Sequence, residues 1–171
     1  MPLTQSQLTA LKADIIADPT LNSISNTPDG AFEIAAAYNL NASPDFWVWR
    51  TSVGKGELVQ TTSVDGTIFI WAGNGFITRS AGEQAAWREI FNGTGFCNPS
   101  LPNVRQAFTD IFSGTGNAAN NRTHLAAIGR RKATRAEKLF ATGTGSTGSP
   151  GTMTFEGSLS YTDVQQARNL P

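Results

Sequence analysis

Six cations and one acid are threaded through the apolar residues between Arg122 and Lys138, and the rest of a charge-balanced chain has to accommodate that stretch. The cations are Arg122, Arg130, Arg131, Lys132, Arg135 and Lys138, the acid is Glu137, and the segment charge is +5. Because the 171 residues hold 13 basic and 13 acidic side chains, the remainder carries −5. On a helix, Leu125, Ile128, Lys132, Ala136 and Leu139 follow one another at three or four residues, while Arg131, Arg135 and Lys138 share another face. The spacing predicts one helix with a buried apolar stripe beside a basic ridge of Arg122, Arg130, Arg131, Arg135 and Lys138. Thr142-Gly143 then stops it, since glycine just past the last apolar turn takes the left-handed conformation that ends a helix. Such a ridge is either a solvated helix face or a surface for a polyanion or an acidic partner.

Start signals recur along the chain. Thr4-Gln5-Ser6-Gln7 reads as a capping box ahead of Leu8, Leu11 and Ile15, and Asp18-Pro19 closes that run. Thr27-Pro28-Asp29 opens a short helix to Asn39, and Ser80 to Glu83 is a second capping box leading through Trp87, Ile90 and Phe91. Pro102 precedes a helix with Val104, Phe108, Ile111 and Phe112 on one face, and Thr162-Asp163 caps a last short one. Ser43-Pro44-Asp45 repeats the start chemistry, but Phe46 to Thr51 is aromatic and β-branched, so helix and extended strand compete there. Thr67 to Trp71 reads as a strand. The expected fold is mainly α, a helical bundle of about five to six helices with a small β element. Residues 1–141 would form the helical core. Residues 142–171 would be a Gly-rich loop and C-terminal arm, with Met153, Phe155, Leu159 and Tyr161 as apolar residues that bind a partner, the alternative being that the arm folds back on its own core.

Only 15% of residues are charged, against roughly 25% in ordinary soluble domains, which suits either a surface partly covered by neighbouring subunits or a monomer rich in threonine, asparagine and serine. Zero net charge does not imply nucleic-acid binding by bulk charge, and any such role would be local to the basic helix. Cys97 and His124 are each the sole residue of their kind, with no spacing that points to a nucleophile and base. Gly143, Gly145 and Gly148 match G-x-G-x-x-G, but a helix precedes them and Pro150 follows, the reverse of a dinucleotide site. The expectation is no enzyme, with no catalytic, cofactor or metal residues, and with no membrane span or secretory leader.

Four segments carry a resemblance: Ser43 to Thr51, Pro99 to Gly114, Asn121 to Leu125 and Thr134 to Gly143. Together they resemble a family of small structural proteins of tailed bacteriophages, from the head-to-tail region. The resemblance implies a virion protein made in the bacterial cytoplasm, a connector or adaptor subunit that forms a homo-oligomeric ring between portal and tail. Its partners would be portal and tail proteins, with non-specific contact to the DNA that passes. A tail-completion or collar protein is the alternative in the same particle, and a small nucleic-acid-binding protein using the basic helix is the alternative outside it.

Overall fold

The computed structural model describes residues 2–91 and 93–171. Nine α-helices and six strands of two or three residues are formed among them, so the mainly α class with a small β element holds. The helices are shorter and more numerous than the sequence suggested, because the chain also turns through α2 (Pro19–Asn22), α4 (Lys55–Gln60) and α8 (Arg135–Phe140). No helix among the described residues is long and apolar enough to cross a membrane.

The chain divides into two compact units, Met1–Trp47 with Lys132–Pro171, and Val48–Arg131. The first unit is thus discontinuous. It contains α1 (Gln5–Ala17), α2, α3 (Pro28–Tyr38), α8, the hairpin of β5 (Ala141–Thr142) and β6 (Thr152–Met153), and α9 (Tyr161–Arg168). The Thr4 hydroxyl and Gln7 side chain close a capping box on α1, an arrangement worth on the order of 1 kcal/mol. Leu8, Leu11 and Ile15 then bury one face. Ala31, Ile34, Ala35 and Tyr38 of α3 and Val164 and Ala167 of α9 complete the core, alanines being small enough for α9 to lie close against α1 and α3.

The second unit contains β2 (Val53–Gly54), α4, α5 (Ala81–Glu89), β3 (Phe96–Cys97), α6 (Pro102–Ile111) and α7 (Asn117–Ile128), with β2 and β3 antiparallel. β1 (Trp47–Trp49) pairs with β4 (Arg130–Lys132), so the competition at Phe46 to Thr51 resolves to extended backbone. Trp87 is the hub of the second core, with Phe91 and Phe112 set edge-on at 5.1 and 5.3 Å and Phe69 stacked at 5.7 Å.

The strand expected over Thr67 to Trp71 is not in a sheet. Its place is taken by a side chain of α7: the Asn121 carboxamide accepts from Ile70 N–H at 2.7 Å and donates to the Ile70 carbonyl at 2.9 Å and the Gly75 carbonyl at 3.0 Å. A fully buried asparagine here supplies the donor and acceptor that a neighbouring strand would have supplied. His124, one turn along α7, holds the same loop. The Leu58 carbonyl can only accept, so Nε2 donates to it at 2.8 Å, while Nδ1 meets the Thr67 hydroxyl at 3.1 Å.

Candidate functional site

The basic segment does not form one helix. α7 ends at Ile128, residues 130–132 form β4, and the helix restarts as α8 at Arg135. The break lies at Gly129, where a Cβ would stand 3.0 Å from the Leu125 carbonyl oxygen and 3.1 Å from Pro99 Cβ. The restart is a capping box in which the Thr134 hydroxyl accepts from Glu137 N–H and the Glu137 carboxylate accepts from Thr134 N–H. Thr134-x-x-Glu137 is a start signal that the periodicity argument passed over.

The ridge is dispersed as a result. Arg122, Arg130 and Arg131 belong to the second unit, and Lys132, Arg135 and Lys138 to the first. Arg122 donates to the Phe112 carbonyl, Arg130 pairs with Asp65, and Lys132 lies 2.7 Å from Asp45 while covering the Trp47 ring. Arg131 sits half-buried on β4.

Arg135 is the most elaborately held. Asp14 and Asp18 stand four residues apart around the end of α1, where like charges repel and face the negative end of the helix dipole. The Arg135 guanidinium forks between them at 2.9 Å each, and its plane lies 4.6 Å over the Tyr38 ring, whose hydroxyl donates to Asp14. Burial, and after it the Asp14 carboxylate, push the Tyr38 hydroxyl well above its ordinary range, so it remains a donor. Beside this cluster opens a cleft of about 780 Å³ that also meets Leu40, Asn41, Ser43 and Lys138. A second cleft, of about 560 Å³ in the other unit, is lined mainly by Ile90, Phe96, Cys97, Leu101 and Val104. Burial pushes the Cys97 thiol up to about 11, away from the thiolate a nucleophile needs.

The Arg135 hydrogen bond, aided by Leu21 N–H, holds the Asp18 carboxyl below its usual 3.8. Ser80 N–H and hydroxyl, with Arg79, do the same for Glu83 below 4.5. Depressed carboxyl values in the fold mean stability that is complete above about pH 4.5 and lost as pH falls through the folded-state values. Thermal midpoints should therefore stay level from pH 7 to 5 and drop below pH 4.5, and Asp18→Asn should make that acid slope shallower. A midpoint that falls already between pH 7 and 5 would contradict this assignment.

The arm residues fold onto their own unit. Met153 pairs with Ala141 in the hairpin, Phe155 meets Phe140 edge-on at 5.4 Å, and Tyr161 stacks on Phe32 at 4.3 Å. Leu159 is buried, its N–H and carbonyl bracketed by the Asn39 carboxamide at 2.8 and 2.9 Å. No protein family, curated protein or solved structure matches this chain. Three of the segments that carry the resemblance are linked within the second unit. Ser100 N–H donates to the Arg50 carbonyl, Arg105 covers the Trp49 ring at 4.7 Å, and Arg122 donates to the Phe112 carbonyl. Those residues act as framework, and the cations expected to act as a ridge are largely consumed by it. What the surface presents instead is apolar: Leu40, Val64, Ile68, Trp71, Ile77 and Phe96 are among the exposed side chains.

Proposed function

We propose that this chain is a head-to-tail connector subunit of a tailed bacteriophage virion, one copy of a ring between portal and tail through which DNA passes. The observation that carries the reading is the resemblance over Ser43 to Thr51, Pro99 to Gly114, Asn121 to Leu125 and Thr134 to Gly143. Two surface properties support it: large apolar side chains exposed on both units, and a charge content of 15%, both suited to burial against neighbouring subunits. The role is mechanical. Arg130 and Lys132 each pair with an aspartate of the same chain and Arg135 with two, so these three cations offer DNA little uncompensated charge.

Mixing the purified chain with isolated portal rings of its particle should add a ring of density on the tail-facing side in negative stain. Binding to tail-tube protein with no binding to portal would reassign it as a tail-completion or collar subunit. Indifference to both would remove the virion reading.

A further inference from the structure

Independently of that reading, we infer that the outward face of α3 with the start of α9 binds an arginine-bearing segment of a partner protein. Phe32 is 56% exposed and Tyr161 36% exposed, and their rings are stacked at 4.3 Å with an interplanar angle of 22°. Stacked in this way the rings cover each other's inner faces, which leaves the outward face of the exposed Phe32 ring open to solvent, and the Tyr161 hydroxyl has no hydrogen-bond partner among the described residues. Planar guanidinium groups stack on such ring faces, attracted by the negative face of the π system.

The charge around the platform selects the same ligand. Asp29 precedes Phe32 by three residues and is its neighbour on the helix surface, and Glu33, four residues after Asp29, is exposed on the same solvent side of α3. Asp29 and Glu33 are themselves four residues apart, a like-charge pair that weakens an isolated helix. Elsewhere in the chain such repulsion is resolved by a cation, as Arg135 resolves Asp14 and Asp18. Among the described residues the Asp29 and Glu33 carboxylates have neither ion pair nor hydrogen bond. The cation they lack does not come readily from a second copy, because most arginines of the chain are already bound to internal acceptors, Arg50 to Glu57 and Arg79 to Glu83 among them. A guanidinium stacked on the outward face of Phe32 would extend the stack one turn of helix from Asp29 and so answer both features at once.

The test is fluorescence anisotropy with a dye-labelled peptide alternating arginine and leucine, and with its citrulline counterpart, which keeps the shape and removes the charge. The full chain should bind the arginine peptide saturably and the citrulline peptide about tenfold or more weakly. Phe32→Ala should weaken arginine-peptide binding by about tenfold with its far-UV spectrum unchanged, since Phe32 lies outside the core. Glu33→Lys, which leaves both rings in place, should abolish it. Equal affinity for the two peptides, or unchanged binding by either variant, would overturn the inference. Self-association in sedimentation velocity that Phe32→Ala abolishes would overturn it too, by assigning the platform to a second copy.

Discussion

A chain lacking Met153 to Pro171 should fail to fold its first unit. The deletion removes Leu159, Val164 and Ala167, which are at most 3% exposed, and uncovers the facing sides of α1 and α3. Fully burying a leucine or valine is worth roughly 1.5 to 3 kcal/mol, so Leu159 and Val164 with the small Ala167 represent about 5 kcal/mol. That is comparable with the 5 to 15 kcal/mol by which a whole domain is usually stable. The loss of the Asn39 bracket on Leu159 adds an unpaired, part-buried carboxamide. Far-UV circular dichroism should show reduced helicity, and amide exchange should rise first in α1 and α3. Were the segment an arm for a neighbouring subunit, the truncated chain would melt close to the intact one. A midpoint within about two degrees of wild type would overturn the self-docked assignment.

Gly145→Val should be nearly as damaging, although it lies in a segment of glycine, threonine and serine. Gly145 has a φ of +67°, and a Cβ there would sit 2.1 Å from the Phe46 ring. Its carbonyl accepts from Trp47 N–H at 2.7 Å, and Gly151 N–H donates to the Trp47 carbonyl at 2.8 Å, so the loop clasps Trp47 from two sides and lies over Phe46. Forcing a branched residue into the left-handed region costs roughly 1 to 2 kcal/mol. Displacing a packed ring costs roughly 1 to 3 more. The midpoint should fall by about 5 to 15 °C in thermal melts. Gly148→Val is the control, because nothing stands within 4 Å of a Cβ at Gly148, and it should leave the midpoint within about a degree. Equal behaviour of the two variants would mean that the clasp does not contribute.

The two examples also mark where local rules end. Helix starts with a side-chain signature were legible: Thr4, Thr27 and Ser80 all cap helices in the structure, while the last helix is capped by Ser160, two residues before the expected Thr162, with Asp163 as its N3 partner. Each signature works within three or four residues, and so can be read without knowing the fold. Thr134 with Glu137 was equally local, but the apolar stripe from Leu125 to Leu139 ran across Gly129 and hid both the stop and the restart. The rest depended on distance. Arg135 finds Asp14 and Asp18 more than a hundred residues away, and the Gly-rich loop is ordered by Phe46, which no composition argument can supply. Thr67 to Trp71 satisfied the pattern of a strand, yet a buried asparagine fifty residues downstream took the partner's place. The stacked Phe32 and Tyr161 pair was invisible for the same reason, its two members lying at opposite ends of the numbering.

The discontinuity of the first unit has a consequence for how the protein is made. Translation delivers α1 and α3 early, but the residues that cover them, 132–171, are synthesised only after all of Val48–Arg131. At a synthesis rate of roughly 5 to 20 residues per second, those last residues take about two to eight seconds to emerge. Throughout that interval the second unit has its entire core, Trp87 and its aromatic neighbours included, while Leu8, Leu11, Ile15 and Ile34 wait uncovered. The nascent chain is thus a second unit preceded by helices whose apolar faces stay open until α9 arrives, a species that chaperones at the ribosome would shield.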